Sequence, residues 1–245
     1  MKIAVIGTGN TGQHVAGQAE SRGHEVVETF DIDHPLTEEN APENVTFIDF
    51  SVGEMVPEYV DIAGKTGNNI VIGTTGWYDQ LESVEKSVEE SGIGCLYAPN
   101  FALGVNLFFR GTEFISKLFG SQNYDITIHE EHHTKKSDAP SGTALELGKI
   151  ALKQFDSKSE LLVGNPDGRI KPEQLQISSS RVGDVYGNHR IVIEGEHDRI
   201  EFSHSIKSRK TLAEGAVIAA EWLEGKQGLY TIHDLIDDIL QEGQA

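Results

Sequence analysis

The sequence predicts an α/β chain in two parts: an open, doubly wound parallel sheet, then an α+β part built on a mixed sheet. Three observations predict it. Short apolar runs alternate with helical stripes from residue 2 to residue 101. A glycine-rich turn follows the first of these runs at once. Beyond residue 102 the pattern changes to strand-like runs with few helices between them.

The first run is Lys2 to Ile6, followed by Gly7-Thr8-Gly9-Asn10-Thr11-Gly12 and a helix-like segment through Glu20 that Gly23 closes. A second run, Val26 to Phe30, ends on Asp31, about twenty residues beyond the last glycine. In a Rossmann-type dinucleotide fold the first glycine makes the tight turn and the second admits the pyrophosphate. The third lets helix and strand pack closely, and the acidic residue accepts from the ribose hydroxyls. Asp31 favours NADH, because a carboxylate there repels a 2'-phosphate and no arginine follows it closely. Val45 to Phe50 reads as a further strand and Ser51 to Thr66 as a helix. Asn69 to Ile72 is a strand ending in Gly73-Thr74-Thr75-Gly76, and loops at such strand ends face the cofactor crevice of an open α/β sheet. Leu81, Val84 and Val88 give a helical stripe, and Gly94 to Ala98 is a strand ending at Pro99-Asn100-Phe101.

The second part opens at Ala102 with an apolar helix pattern, Leu103 to Leu118. Tyr124 to Ile128, Gln176 to Val182, His189 to Gly195 and Arg199 to Ser205 read as strands of a mixed or antiparallel sheet, and Lys158 to Glu173 as a long connection. After Arg209 the chain returns to helix at Leu212 to Leu223 and Ile232 to Leu240. The predicted domains are therefore 1–101 with 210–245, binding the dinucleotide, and 102–209, binding the substrate.

The chemistry concentrates in Glu130 to Thr143, reading EEHHTKKSDAPSGT. A strand, a charged loop and a helix start follow one another. The helix start leaves backbone N–H groups without intrahelical partners, and with the dipole these form a site for a carboxylate or phosphate. Gly142 lets a ligand approach the backbone, Ser141 or Thr143 adds a hydroxyl, and Lys136 adds a compact positive charge. A histidine of His132-His133 supplies a proton near neutral pH. His129, His132, His133 and the two glutamates could instead ligate zinc or another divalent ion, but two lysines in the loop repel a cation. No metal is expected.

Composition narrows the function classes. At 245 residues the chain can bury one large or two modest cores. A single Cys95 excludes an intrachain disulfide framework and fits a reducing cytoplasm, and MKIAVIG carries no cleavable signal pattern. No apolar run is long enough to span a membrane. A net charge of -19 and a pI near 4.8 argue against nonspecific nucleic-acid binding, which needs Lys and Arg to neutralise phosphates.

With these motifs assembled, the sequence resembles the 4-hydroxy-tetrahydrodipicolinate reductase (dihydrodipicolinate reductase) family of lysine and diaminopimelate biosynthesis. The resemblance covers nearly the whole chain. Its most specific part is the run Glu131 to Ala144, similar to the family's E-x-H-H-x-x-K-x-D-A-P-S-G-T-A signature after allowing one residue at its start. GTGNTG, Gly73-Thr74-Thr75, Ala98-Pro99-Asn100-Phe101 and the segment from Arg181-Val182-Gly183 to Gly187-Asn188-His189 also fall where the family has its corresponding segments. The resemblance implies reduction of a cyclic dicarboxylate by NADH or NADPH in a cytoplasmic homotetramer assembled through the substrate domain. It implies His132 as proton donor with Lys136 as its partner, and His133, Ser141, Gly142 and Thr143 at the substrate. For the cofactor it implies Gly7, Gly9, Asn10, Thr11, Gly12, Asp31, Gly73, Thr74, Thr75, Ala98, Pro99, Asn100 and Phe101. Two departures concern the coenzyme: many members carry arginine and methionine where this chain has Asn10 and Thr11, and glutamate where it has Asp31.

Overall fold

Inner strands buried on both faces in one sheet, and strands of alternating burial in the other, set the architecture of the computed structural model, which describes residues 1–208 and 210–243. In chain order the elements are β1 (Lys2–Ile6), α1 (Gly12–Ser21), β2 (Glu25–Phe30), β3 (Thr46–Asp49), α2 (Val56–Thr66), β4 (Asn69–Ile72), α3 (Leu81–Ser91), β5 (Gly94–Tyr97) and α4 (Leu103–Phe119). They continue with β6 (Asp125–His132), α5 (Gly142–Leu152), β7 (Glu160–Val163), β8 (Gln174–Arg181), β9 (Asn188–Glu194), β10 (Arg199–Ser205), α6 (Lys210–Trp222), β11 (Gly228–Thr231) and α7 (Ile232–Glu242). Two compact units result. One is Met1–Asn106 with the C-terminal elements α6, β11 and α7; the other is Leu107–Ser208. By packing, the division between the units falls inside α4, between Asn106 and Leu107, a few residues from the Ala102 read from the sequence. The return crossing read at Arg209 lies outside the described residues.

The first unit is a parallel six-stranded sheet in the order β11-β5-β4-β3-β1-β2. Ile3 to Ile6 are buried without alternation, as a parallel strand covered on both faces requires. Helices α2 and α3 end at Gly67 and Gly92, both left-handed (φ 67° and 68°), which lets each chain reverse without a Cβ clash. The glycine turn is sterically forced. Gly7 has φ 92°, and a Cβ on it would lie 2.4 Å from the Phe50 carbonyl oxygen. A Cβ on Gly12 would lie 1.9 Å from the Gly7 carbonyl oxygen. The sequence reading has no counterpart for β11. Its four half-buried residues are too few to show a period, and it exists because it completes the sheet edge beside β5.

The second unit is a five-stranded sheet in the order β10-β9-β6-β8-β7. It is mixed: β6 and β7 run parallel to β8, while β9 runs antiparallel to both β6 and β10. Ala144, Leu147 and Ala151 of α5 share a core with Ile126, Ile128, Leu175, Ile177, Ile191 and Ile193. Gly148 permits that contact, since a Cβ there would lie 2.6 Å from Ile177 Cδ1. The segment read as a long connection, Lys158 to Glu173, contains β7, a four-residue edge strand paired with β8. Lys158 pins it, donating from a buried Nζ to the carbonyls of Pro172 (2.8 Å) and Gln174 (3.1 Å). Strand β6 runs on to His132, beyond the Ile128 where the apolar pattern stops, because β8 and β9 pair with it on both sides. Among the described residues no helix is long and apolar enough to cross a membrane.

The steric reading of the glycine turn gives a direct test. Gly12→Ala is expected to cost about 3 kcal/mol in urea unfolding, by overpacking against the Gly7 carbonyl. Gly17→Ala on the same helix meets nothing within 4 Å and is expected to stabilise by roughly 0.5–1 kcal/mol.

Candidate active site

Side chains alternate between the faces of a strand, and in β6 this builds the site. Ile126, Ile128, Glu130 and His132 are buried in turn, whereas Thr127, His129 and Glu131 between them are only half-buried. The core face of the strand therefore changes from apolar to charged at its C-terminal end. Register supplies the partners. Glu130 lies opposite Ser179 on β8 and His189 on β9, His132 opposite Arg181 on β8, and His189 opposite His204 on β10. His129, on the alternate face, meets Ser178 Oγ at 2.9 Å and Ser180 Oγ at 3.3 Å.

Glu130 is completely buried, and Arg181, Ser179 and His132 surround its two oxygens. Oε1 accepts from Arg181 Nη1 at 2.9 Å, and Oε2 is in ion-pair contact with Nδ1 of His132, both atoms buried, without the geometry of a regular hydrogen bond. Arg181 Nη2 donates to the Asp138 carbonyl at 2.6 Å, and the Asp138 carboxylate accepts from Lys136 Nζ at 2.7 and 2.8 Å. One chain of contacts thus runs from His132 through Glu130, Arg181 and Asp138 to Lys136. Ser141 caps α5, its Oγ accepting from Ala144 N at 3.2 Å, and sits 3.1 Å from His189 Nε2. The His132 and His189 rings meet edge to face with centroids 5.3 Å apart. Gly187 passes so close that a Cβ on it would lie 2.9 Å from His132 Nε2.

These contacts set the protonation states. Burial pushes the Glu130 carboxyl up, but hydrogen bonds from Ser179 and Arg181 and the charges of His132 and Arg181 outweigh it, so it stays ionised. Burial lowers His132; the Glu130 carboxylate opposes that shift, and Lys136 and Arg181 reinforce it. Burial, with the charge of His132, pushes His189 down to about 4, so it is neutral at pH 7. Lys136 holds the Asp138 carboxyl below its ordinary value.

In the first unit, parallel pairing brings the ends of β1 to β5 to one edge of the sheet. There lie the Gly7–Gly12 turn, Asp31, the Asp49-Phe50-Ser51 segment, Gly73 to Thr75, and Ala98 to Phe101. The topology reverses between β1 and β3, which is where such sheets take a ligand. Asp49 is fully buried, and its Oδ1 and Thr74 Oγ1 both accept from Ser51 N, at 3.0 and 2.7 Å. Burial lifts Asp49 to about 6 against those hydrogen bonds. Asp31 Oδ1 accepts from the amides of Asp33 and His34, each at 3.0 Å. The residues fit a dinucleotide. Gly7 and Gly12 are demanded by neighbouring backbone, and Gly9 is open, with no protein atom within 4 Å of where a Cβ would lie, as the second glycine of a dinucleotide turn allows.

The structure links His132, Lys136 and Ser141 by the contacts above, whereas Gly142 is exposed and Thr143 half-buried at the α5 start. His133 is half-buried, and its Nδ1 has no hydrogen-bond partner among the described residues. The histidines and glutamates grouped by the sequence as an alternative metal set are divided by strand alternation. Geometry instead gathers Glu130, His132 and His189, whose ligand atoms lie within 4.8 Å of one another. Arg181 already compensates that carboxylate, and it and Lys136 oppose a cation there. Arg181, Gly187, His189 and Asp49 have no assigned role in the sequence reading, and Glu130 enters it only among the alternative metal ligands. The signal that could have found Glu130 is its i, i+2 spacing from His132 on a strand extended through the charged residues.

A parallel sheet with a dinucleotide-type glycine turn, joined to a mixed sheet bearing a buried histidine–carboxylate pair and an ammonium group, defines a dinucleotide-dependent oxidoreductase. Residues 1–101 match the family pattern "Dihydrodipicolinate reductase, N-terminus" and residues 104–236 the pattern "Dihydrodipicolinate reductase, C-terminus". The chain is 34% identical over 242 residues to a 4-hydroxy-tetrahydrodipicolinate reductase of Christiangramia forsetii, covering 98% of this chain and 100% of that one. It is 37% identical over 193 residues to the reductase of the same name from Methanocaldococcus jannaschii, covering 77% and 70%. Among solved structures, the dipicolinate-bound dihydrodipicolinate reductase from Paenisporosarcina sp. TG-14 shares the fold with a TM-score of 0.74, at 22% identity over 94% of this chain and 97% of that one. The chain belongs to the dihydrodipicolinate reductase family.

Neutral His189 makes the second unit sensitive to acid. Its folded pKa of about 4 lies below the ordinary 6.5, so the unfolded chain takes up the proton first as pH falls. Its contribution to stability is whole above pH 6.5 and declines toward pH 4, by on the order of 3 kcal/mol. His189→Gln is expected to flatten the fall of unfolding free energy between those pH values; an unchanged slope contradicts the assignment.

Proposed function

We propose that the chain reduces 4-hydroxy-tetrahydrodipicolinate to tetrahydrodipicolinate, a step of lysine and diaminopimelate biosynthesis, with NADH or NADPH as reductant. Family membership supports the reaction, as does the dipicolinate held by the solved relative. The observation that carries the residue roles is buried His132, held at Nδ1 by Glu130 with Lys136 and the α5 start on the loop that follows.

Each group has a task in that reaction. Lys136 exchanges the Asp138 carboxylate for a substrate carboxylate, a swap of like for like that leaves the local charge balance intact. The amides at Gly142 and Thr143 receive anionic oxygen at the helix start, which Ser141 fixes by capping it. His133, next in the chain, contributes its ring to the same face of the substrate. Bound NADH or NADPH supplies a hydride to a substrate ring carbon conjugated with an imine. His132 delivers the accompanying proton from Nε2, the nitrogen that Glu130 does not hold. The substrate gains one hydride and one proton and loses one water.

The cofactor residues are Gly7, Gly9, Asn10, Thr11 and Gly12 at the pyrophosphate, Asp31 at the ribose, and Gly73 to Thr75 with Ala98 to Phe101 near the nicotinamide. NADH is the better coenzyme, because Asp31 is fixed by two backbone amides and residues 7–12 and 28–40 contain no lysine or arginine. The protein works as a cytoplasmic homotetramer assembled through its substrate-binding unit, a reading supported by family membership.

An assay in which dihydrodipicolinate synthase generates the unstable substrate from pyruvate and aspartate semialdehyde tests this proposal. Rapid NADH oxidation requiring the whole mixture is expected, with kcat/KM at least about tenfold above that for NADPH and a loss of roughly 10²–10⁴-fold in kcat for His132→Gln. No oxidation of either coenzyme, beside a working control enzyme, overturns the reaction; an unchanged kcat in His132→Gln overturns the donor.

A further inference from the structure

We infer that Glu130 is a positioning residue for proton transfer: its buried carboxylate fixes His132 with Nδ1 protonated and Nε2 presented to the substrate, and through Arg181 it anchors the loop that carries Lys136. The inference rests on His132 as the donor. Its support is geometric. Glu130 is completely buried; Oε1 accepts from Arg181, Oε2 is in ion-pair contact with His132 Nδ1, and Ser179 adds a further hydrogen bond to the carboxylate. Arg181 donates to that carboxylate, to the Ser180 carbonyl and to the Asp138 carbonyl, while the Asp138 side chain holds Lys136. The residue that orients the acid therefore also sets the backbone beneath the anion-binding lysine. On the far side of the ring, Gly187 supplies no Cβ where one would lie 2.9 Å from Nε2, which keeps that nitrogen clear.

A purely structural ion pair would use Arg181 alone. A buried pair of that kind is commonly replaceable by apolar residues with little loss. Here the carboxylate also carries an imidazole contact, and that contact has a chemical consequence. A neutral imidazole whose Nδ1–H is held has its lone pair at Nε2, and on protonation Nε2–H becomes the donor that a substrate can reach.

The charged and titratable groups facing His132 are Glu130 from its own strand, Arg181 from β8, His189 from β9 and Lys136 from the following loop; His204 on β10 lies behind His189. Of these Glu130 alone is an anion, and it favours the protonated ring, while Arg181 and Lys136 oppose it. Removing its charge lowers the proton affinity of His132. The limb on which activity falls as the acid loses its proton then moves to lower pH.

The test is the pH dependence of kcat and kcat/KM for the full-length enzyme as wild type, Glu130→Gln, Glu130→Asp, His132→Gln and the double variant Glu130→Gln/His132→Gln. For Glu130→Gln we expect kcat to fall by about 10–100-fold at pH 7.5 and the alkaline limb to move down by about one pH unit. Glu130→Asp, which keeps the charge, is expected to keep the limb in place while losing part of kcat. The double variant is expected to have a kcat no more than about threefold below that of His132→Gln, because Glu130 acts on the chemical step through His132, while the loop it anchors at Lys136 is read in KM. A wild-type pH profile in Glu130→Gln, or losses that multiply in the double variant, overturns the inference while leaving the donor role of His132 intact. An unchanged kcat in His132→Gln overturns both. If Glu130→Gln does not fold by circular dichroism, Glu130→Asp decides: a kcat at least about fivefold below wild type at an unchanged melting temperature is expected, and wild-type kcat overturns the inference.

Discussion

A carboxylate enclosed on every side is the constraint on which the second unit depends. An ionised Glu130 without compensation would be too costly to bury, and its neighbours are the response to that cost. Arg181 supplies the opposite charge and a hydrogen bond, and His132 supplies a second contact that acts on the chemistry. Because Arg181 also holds the Asp138 carbonyl, the conformation of the loop from Thr134 to Pro140 is tied to the same carboxylate. Stability, loop position and the orientation of the imidazole are therefore one electrostatic problem with one arrangement that satisfies it.

Both units place chemistry at the same part of a strand. In the first, parallel pairing gathers the glycine turn and the loops after β2 to β5 at the C-terminal edge of the sheet. In the second, the core face of β6 turns from isoleucine to glutamate and histidine at its C-terminal end. The strand interior is secured by apolar burial, so its last residues can carry polar groups whose geometry the sheet then fixes. Neutral His189 and the Ser141 cap extend that arrangement from β9 to the start of α5. A helix start and a charged strand end are thereby brought to one place through β9.

The sequence made the first unit legible because its signals are local. A strand, glycines at fixed spacing and an acid after the next strand are all read along the chain. The loop bearing His132, Lys136 and Ser141 was legible for the same reason. Glu130 and His189 were not recoverable as partners, since they meet across β6 and β9 at a separation of 59 positions that only register can set. Alternation also explains why the histidines and glutamates around residue 130 read as one cluster when they belong to two faces. The edge strands β7 and β11 left little trace, because four residues that are half-covered or exposed carry no period and their existence depends on the neighbour they pair with.

The central claim is that Glu130 holds His132 in one tautomer. The most direct measurement is ¹⁵N NMR of the imidazole in selectively labelled protein, at a pH where His132 is neutral, with His132→Gln used to assign the signals. A protonated Nδ1 and an unprotonated Nε2 are expected, with the Nδ1–H tautomer losing its preference in Glu130→Gln. A neutral His132 carrying its proton on Nε2 in the wild-type protein would contradict it.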